Sequence, residues 1–74
     1  MSEAVLQILA QTLKHYRSRH GFTQSQIADA IDVTFQQVQK YENGKNRIPV
    51  DKLHILSKLY GVTMDDFFKL PADD

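Results

Sequence analysis

This chain predicts an all-α fold of five helices. Three observations point that way. Apolar residues return at three- and four-residue steps along most of the chain, two T-x-x-Q boxes announce helix starts, and glycines stand where the periodic segments stop. No segment alternates convincingly with the period of two that a half-buried strand requires, so no strand is predicted. With 74 residues there is room for one domain and a small core. The domain is read as residues 1–70, and residues 71–74 as a flexible acidic tail.

The first helix is predicted from Ser2 or Glu3 to about His20. Val5, Leu9, Leu13 and Tyr16 recur at helical spacing, Leu6 and Ile8 widen the apolar side, and Gly21 supplies the stop. Arg17 falls at the edge of this face. The second helix follows Thr23, an N-cap whose box is closed by Gln26. Ile27, Ala28 and Ile31 form its inward side, and Ala28 and Ala30 are small enough to let another helix come close. Asp32 and Val33 make a tight connection to Thr34, the next N-cap. Gln37 stands where it would close a second box, and Val33 and Val38 occupy the positions of a hydrophobic staple. Gly44, after Asn43, is placed to end the third helix in a left-handed conformation. Two short helices joined by about three residues form a helix-turn-helix, the second crossing the first steeply.

Lys45 to Ile48 reads as a loop, and Pro49 marks the start of the fourth helix. Leu53, Leu56, Leu59 and Tyr60 follow at helical spacing with Ile55 beside them, and Gly61 is the stop. Thr63-Met64-Asp65-Asp66 caps a last short helix, with acids in its first turn where the helix dipole favours them. Phe67, Phe68 and Met64 make up its apolar side.

The third helix has two unlike faces. At about 100° per residue, Val38, Tyr41 and Glu42 cluster on one side, and Gln36, Gln39, Lys40 and Asn43 fall opposite. The second face is amide, amide, cation, amide, with no carboxylate. Such side chains carry the donors and acceptors that match adenine and guanine edges in a major groove. A plain solvated face is the alternative for these residues taken alone.

Composition narrows the partners and the chemistry. Formal net charge is zero, but residues 14 to 52 carry seven bases against four acids, a local +3, and the acids collect towards the ends. A basic middle with acidic ends still presents a positive surface, with weaker indiscriminate DNA binding than a uniformly basic domain. There is no cysteine, so no disulfide or thiolate metal site is expected. No apolar run is long enough for a bilayer, and the start lacks a basic signal-type region, so a cytosolic protein is expected. His15, His20 and His54 are scattered, and the first two are not on one helix face. The acidic pairs read as a helix start and a solvated tail. No catalytic group, metal, cofactor or small-molecule ligand is therefore expected.

The run from Leu13 to Phe68 resembles the Xre/Cro-type helix-turn-helix family of bacterial and phage regulators. The residues that carry the likeness are L-K-x-Y-R at 13–17, G-F-T-Q-x-x-I-A at 21–28, V-Q-K-Y-E-N-G at 38–44, Ile48-Pro49, and the L-Y-G-V-T-M-D-D-F-F ending. The resemblance implies a compact five-helix repressor-like DNA-binding domain whose third helix lies in the major groove. It implies base contacts from Phe35, Gln36, Lys40 and Gln39. It implies backbone contacts from Thr23, Gln24, Gln37, Asn43, Lys45, Asn46 and Arg47. Gln24 would hold a phosphate and brace the first residues of the reading helix, and a helix N-terminus suits an anion. Gln37 and Gln39 sit at the flanks, where either can touch backbone rather than bases. Arg17 and Glu42 match a pair that orients the third helix. Two departures stand out. Phe35 takes a place that is commonly polar, facing either a thymine methyl or the second helix. Asp32 takes a turn position that is often glycine.

The resemblance also implies a cytoplasmic, bacterial or phage-encoded regulator, most simply a repressor, nucleoid-associated when bound to double-stranded DNA. A homodimer through the C-terminal helix, with the N-terminal helix as a second candidate, would require a near-palindromic operator. A protein-interaction module or antitoxin-type component with the same fold is the competing reading, because fold alone does not set function.

Overall fold

The computed structural model describes residues 1–71. Among them are four α-helices, α1 (Glu3–Arg19), α2 (Gln24–Ile31), α3 (Phe35–Glu42) and α4 (Val50–Tyr60), followed by one 3₁₀ turn (Asp65–Phe68). No strand occurs among the described residues. The expected fifth helix is thus a single tight turn. Four residues between a cap and an extended Lys69 are too few for a sustained α-helix, and 3₁₀ geometry serves such short pieces. Pro71 has no regular structure, and from residue 72 the expected tail lies outside the described residues.

Short polar side chains hold the starts of α1, α2 and α3, whereas α4 starts after Pro49 with no side-chain cap. The hydroxyls of Ser2, Thr23 and Thr34 accept from the amides of Val5, Gln26 and Gln37 at 3.2, 3.1 and 3.1 Å. Thr23 and Gln26 complete the reciprocal box, with the Thr23 amide donating to Gln26 Oε1 at 2.8 Å. Thr63 and Asp66 do the same for the 3₁₀ turn. The amide and hydroxyl of Thr63 hold the Asp66 carboxyl below its usual pKa. At Thr34 only half the box forms. The Gln37 amide group turns away and donates to Asn46 Oδ1 at 3.2 Å.

Helix ends share one device. A left-handed residue follows each helix at Gly21, Asp32, Gly44 and Gly61. Across each junction an amide donates to a carbonyl five residues back: Phe22 to Arg17, Val33 to Ala28, Lys45 to Lys40 and Val62 to Ser57. Asp32, at φ 57° and ψ 52°, is the only non-glycine residue with positive φ among the described residues. Aspartate tolerates that region better than most side chains, so the turn survives with some strain. The Lys52 ammonium donates to the Ile31 carbonyl at 2.7 Å and places a cation at the end of α2.

α1 packs on α3 and on the 3₁₀ turn, and α2 packs on α3 and α4. Leu9, Leu13, Ile27, Ala28, Ile31, Val38, Tyr41, Ile48, Leu53, Leu56, Tyr60 and Phe67 form one core, with Tyr16, Phe22 and Val33 against it. The inward faces of α1 and α4 are narrower than their apolar patterns suggest. Val5, Ile55 and Leu59 are exposed, and Thr12 and Ser57 are buried. α4 is covered mainly on one side, so Leu53, Leu56 and Tyr60 fill the stripe and Leu59, about 100° from Tyr60, turns outward. Thr12 earns its interior place: its hydroxyl lies 2.6 Å from the Phe67 carbonyl and 2.9 Å from that of Leu9. No buried side-chain polar atom lacks a partner among the described residues.

Phe67 is completely buried and meets Tyr16 edge to face, with ring centroids 5.7 Å apart. Truncating it removes an aromatic side chain from the joint between α1 and the 3₁₀ turn. Phe67→Ala is expected to lower stability by roughly 3–5 kcal/mol in urea denaturation, whereas the same change at the half-exposed Phe68 is expected to lower it by less than about 1 kcal/mol.

Candidate nucleic-acid interface

α3 is eight residues long, too short to hold its shape alone, so its outer face is only as well placed as its attachments. Val38 and Tyr41 anchor it from below and are buried. Thr34 caps its start. At its end Glu42 receives a bidentate contact from α1: Arg17 Nε donates to Oε2 at 2.7 Å and Nη2 to Oε1 at 3.0 Å. Arg17 Nη1 also donates to the Phe22 carbonyl at 2.9 Å, which ties down the approach to α2. The Arg17 and Glu42 side chains are only 14% and 6% exposed. Glu42's hydrogen bonds and charge raise the Arg17 pKa against the opposing effect of burial. Burial, reinforced by the nearby Glu42 charge, pushes the Tyr60 phenol well up, so it stays neutral beside this pair.

Gln24 also reaches this carboxylate, its Nε2 donating to Glu42 Oε1 at 3.1 Å. The resemblance implied bracing of the first residues of the reading helix. In the structure Gln24 braces the last one instead, because its side chain meets the end of α3 where Glu42 offers an acceptor.

The opposite face of α3 is open. Gln36, Gln39, Lys40 and Asn43 are exposed, and Phe35 is 41% exposed, so its ring is not enclosed against α2. Gln37 is half-buried and committed to Asn46. The following loop is built by its own hydrogen bonds: the Lys45 amide donates to Asn43 Oδ1 at 3.1 Å, and Asn46 Nδ2 to the Lys45 carbonyl at 3.0 Å. Lys45 and Arg47 extend from this shaped loop and are exposed. Thr23, also exposed, uses its hydroxyl as an acceptor within the box, which leaves the O–H proton to donate. Phe35, Gln36, Gln39, Lys40, Asn43, Lys45, Asn46 and Arg47 thus occupy α3 and the loop that continues from it.

Three side chains near this surface escaped the sequence reading as site residues. Lys52 steadies the turn between α2 and α3. Gln7 lies over Gly44 so closely that a Cβ there would sit 2.5 Å from its Nε2. Lys14 lines an open groove of about 330 Å³ with Gln24, Gln39, Glu42 and Asn43. A signal existed for Lys14: it precedes Arg17 by three residues and so lies on a neighbouring stripe of α1. No cluster of three or more potential metal-ligating side chains occurs among the described residues, and no helix there is long and apolar enough to cross a membrane.

A family model described as "Helix-turn-helix" matches residues 13–67. An uncharacterized HTH-type transcriptional regulator, y4wC, from Sinorhizobium fredii is 39% identical over 61 residues, covering 82% of this chain and 43% of its own length. One from Rickettsia conorii is 42% identical over 53 residues, covering 72% of this chain and 42% of its own length. The chain therefore spans less than half the length of these relatives. The crystal structure of the restriction-modification controller protein C.AhdI from Aeromonas hydrophila superposes with a TM-score of 0.77 at 20% identity, covering 88% of this chain and 98% of that one. At that identity the likeness speaks for the fold.

The ion pair generates a prediction. Glu42→Ala leaves the low-exposure Arg17 guanidinium and Gln24 without their acceptor. A loss of up to about 3 kcal/mol is expected, read as a lower melting temperature. A melting curve that matches the unaltered protein would reject the pairing.

Proposed function

The chain belongs to the Xre/Cro-type helix-turn-helix family, and from that premise we propose that it binds double-stranded DNA sequence-specifically as a transcriptional regulator. α3 enters the major groove, and the loop after it holds the flanking phosphates. The observation that carries the reading is the exposed, carboxylate-free face of Gln36, Gln39 and Lys40, beside a partly exposed Phe35, on a helix fixed at both ends. Gln36 pairs with adenine N6 and N7, Lys40 reaches guanine O6 and N7, and Phe35 presses on a thymine methyl. Gln39 reads at the edge of this set. Thr23, Gln24, Gln37, Asn43, Lys45, Asn46 and Arg47 set the register on the backbone, with Gln37 acting through Asn46. Arg17 and Glu42 orient α3. Repression is the simplest output, since occupying an operator is sufficient for it, and such a regulator works in the cytoplasm on the nucleoid.

We further propose that the protein acts as a homodimer on a near-palindromic site. Ile55 and Leu59, one turn apart on α4, are 44% and 41% exposed, and Phe68 and Leu70 add apolar surface near the C-terminal end. A two-fold pairing through this surface would set two α3 helices about one DNA turn, ~34 Å, apart.

Selection from random duplexes tests the base contacts. Gln36→Ala combined with Lys40→Ala is expected to abolish sequence preference, each contact being worth about 1–3 kcal/mol of discrimination, while salt-sensitive binding persists. An unchanged selected motif would remove both residues from the reading surface. Ile55→Lys with Leu59→Lys is expected to give monomers by analytical ultracentrifugation and to weaken binding to paired half-sites far more than to a single one. A dimer that survives both changes would place the interface elsewhere.

A further inference from the structure

We propose that Lys14, on α1, is a further contact to the DNA backbone and holds a phosphate in the groove between α1 and the end of α3. The proposal rests on the DNA-binding reading above and extends its footprint to a helix that carries no other assigned contact. Lys14, Gln24, Gln39, Glu42 and Asn43 line the groove. Two of these, Gln39 and Asn43, stand on the exposed face of α3, so a duplex lying on that face has its backbone at the groove's mouth.

Charge decides what the groove accepts. The Glu42 carboxylate is almost wholly enclosed and is engaged by the Arg17 fork and by the Gln24 amide. Its charge is balanced within the protein. Gln24, Gln39 and Asn43 are neutral amides. Lys14 is exposed and forms no hydrogen bond or ion pair with the described residues, so its ammonium is the one uncompensated charge on the lining. A groove with a single free cation and amide donors suits a phosphodiester oxygen. A lysine serves there as a point charge and needs no forked geometry.

The test measures affinity for the selected duplex and for an unrelated duplex across a sodium chloride series, using the full chain, Lys14→Gln, Lys14→Arg and Lys58→Gln. Lys58 is an exposed cation on α4, outside the proposed surface. Lys14→Gln is expected to reduce the slope of log affinity against log salt by about 0.9, the value for one phosphate contact, on both duplexes. Its melting temperature and selected motif should stay unchanged. Lys14→Arg is expected to restore the slope, and Lys58→Gln to leave it unaltered. A steep slope that Lys14→Gln does not change overturns the role of Lys14 and leaves the DNA reading standing. An equal loss in Lys58→Gln also overturns it, because a general field would then explain the effect. If the unaltered chain itself binds duplexes without salt dependence, both the DNA reading and this contact fall.

Discussion

The polar attachments at the end of α3 converge on one carboxylate. Glu42 is the last residue of α3, and it receives two bonds from Arg17 on α1 and one from Gln24 at the start of α2. Arg17 in turn holds the Phe22 carbonyl, so a single guanidinium links α1, the segment leading into α2, and α3. An eight-residue helix cannot keep its conformation in water without such attachments. An enclosed ion pair is not a large net source of stability compared with an apolar replacement. It does something an apolar contact does less well, because a two-pronged contact has a narrow range of allowed angles. The outer face of α3 therefore inherits a fixed tilt from groups that never leave the protein.

The fold was legible wherever a local interaction decides the outcome. Thr23 and Gln26 declare α2 because both halves of their box are closed within four residues of chain. Glycine at positions 21, 44 and 61 marks three helix ends through its conformational freedom alone. Where distant parts compete, local signatures mislead. Thr34 and Gln37 carry the same letters as the earlier pair, yet Gln37 prefers an acceptor nine residues on, Asn46, which only the folded loop brings within reach. Likewise, spacing placed Leu59 with Leu56 and Tyr60, but spacing cannot say how much of a helix its neighbours will cover. The last helix shrank to a 3₁₀ turn for a related reason: apolar residues 67 and 68 reveal a need for burial, not the length of the element that meets it.

The candidate site divides in the same way. The unlike faces of α3 could be read from periodicity, because Val38 and Tyr41 recur on one side and amides and Lys40 on the other. Asp32 could be read as a strained but tolerable turn, and the structure places it in the left-handed region. Gln7 could not be read, because its relevance lies in its approach to Gly44, 37 positions later, and Lys14 showed only its place near Arg17 on α1, not the groove it shares with Gln39 and Asn43. The matched segments make up less than half of these relatives, so the resemblance speaks for the domain and not for whatever accompanies it in them.

The contact between Thr12 and Phe67 joins positions 55 residues apart, closing the chain almost end to end. It sets the shortest piece that can be transplanted. A fusion protein grafted after Lys69 keeps the Phe67 ring in its socket and the Thr12 hydroxyl on its acceptor. One grafted before Phe67 removes both the ring and that acceptor, opening a hole beside Tyr16 and leaving the Thr12 hydroxyl with the Leu9 carbonyl alone.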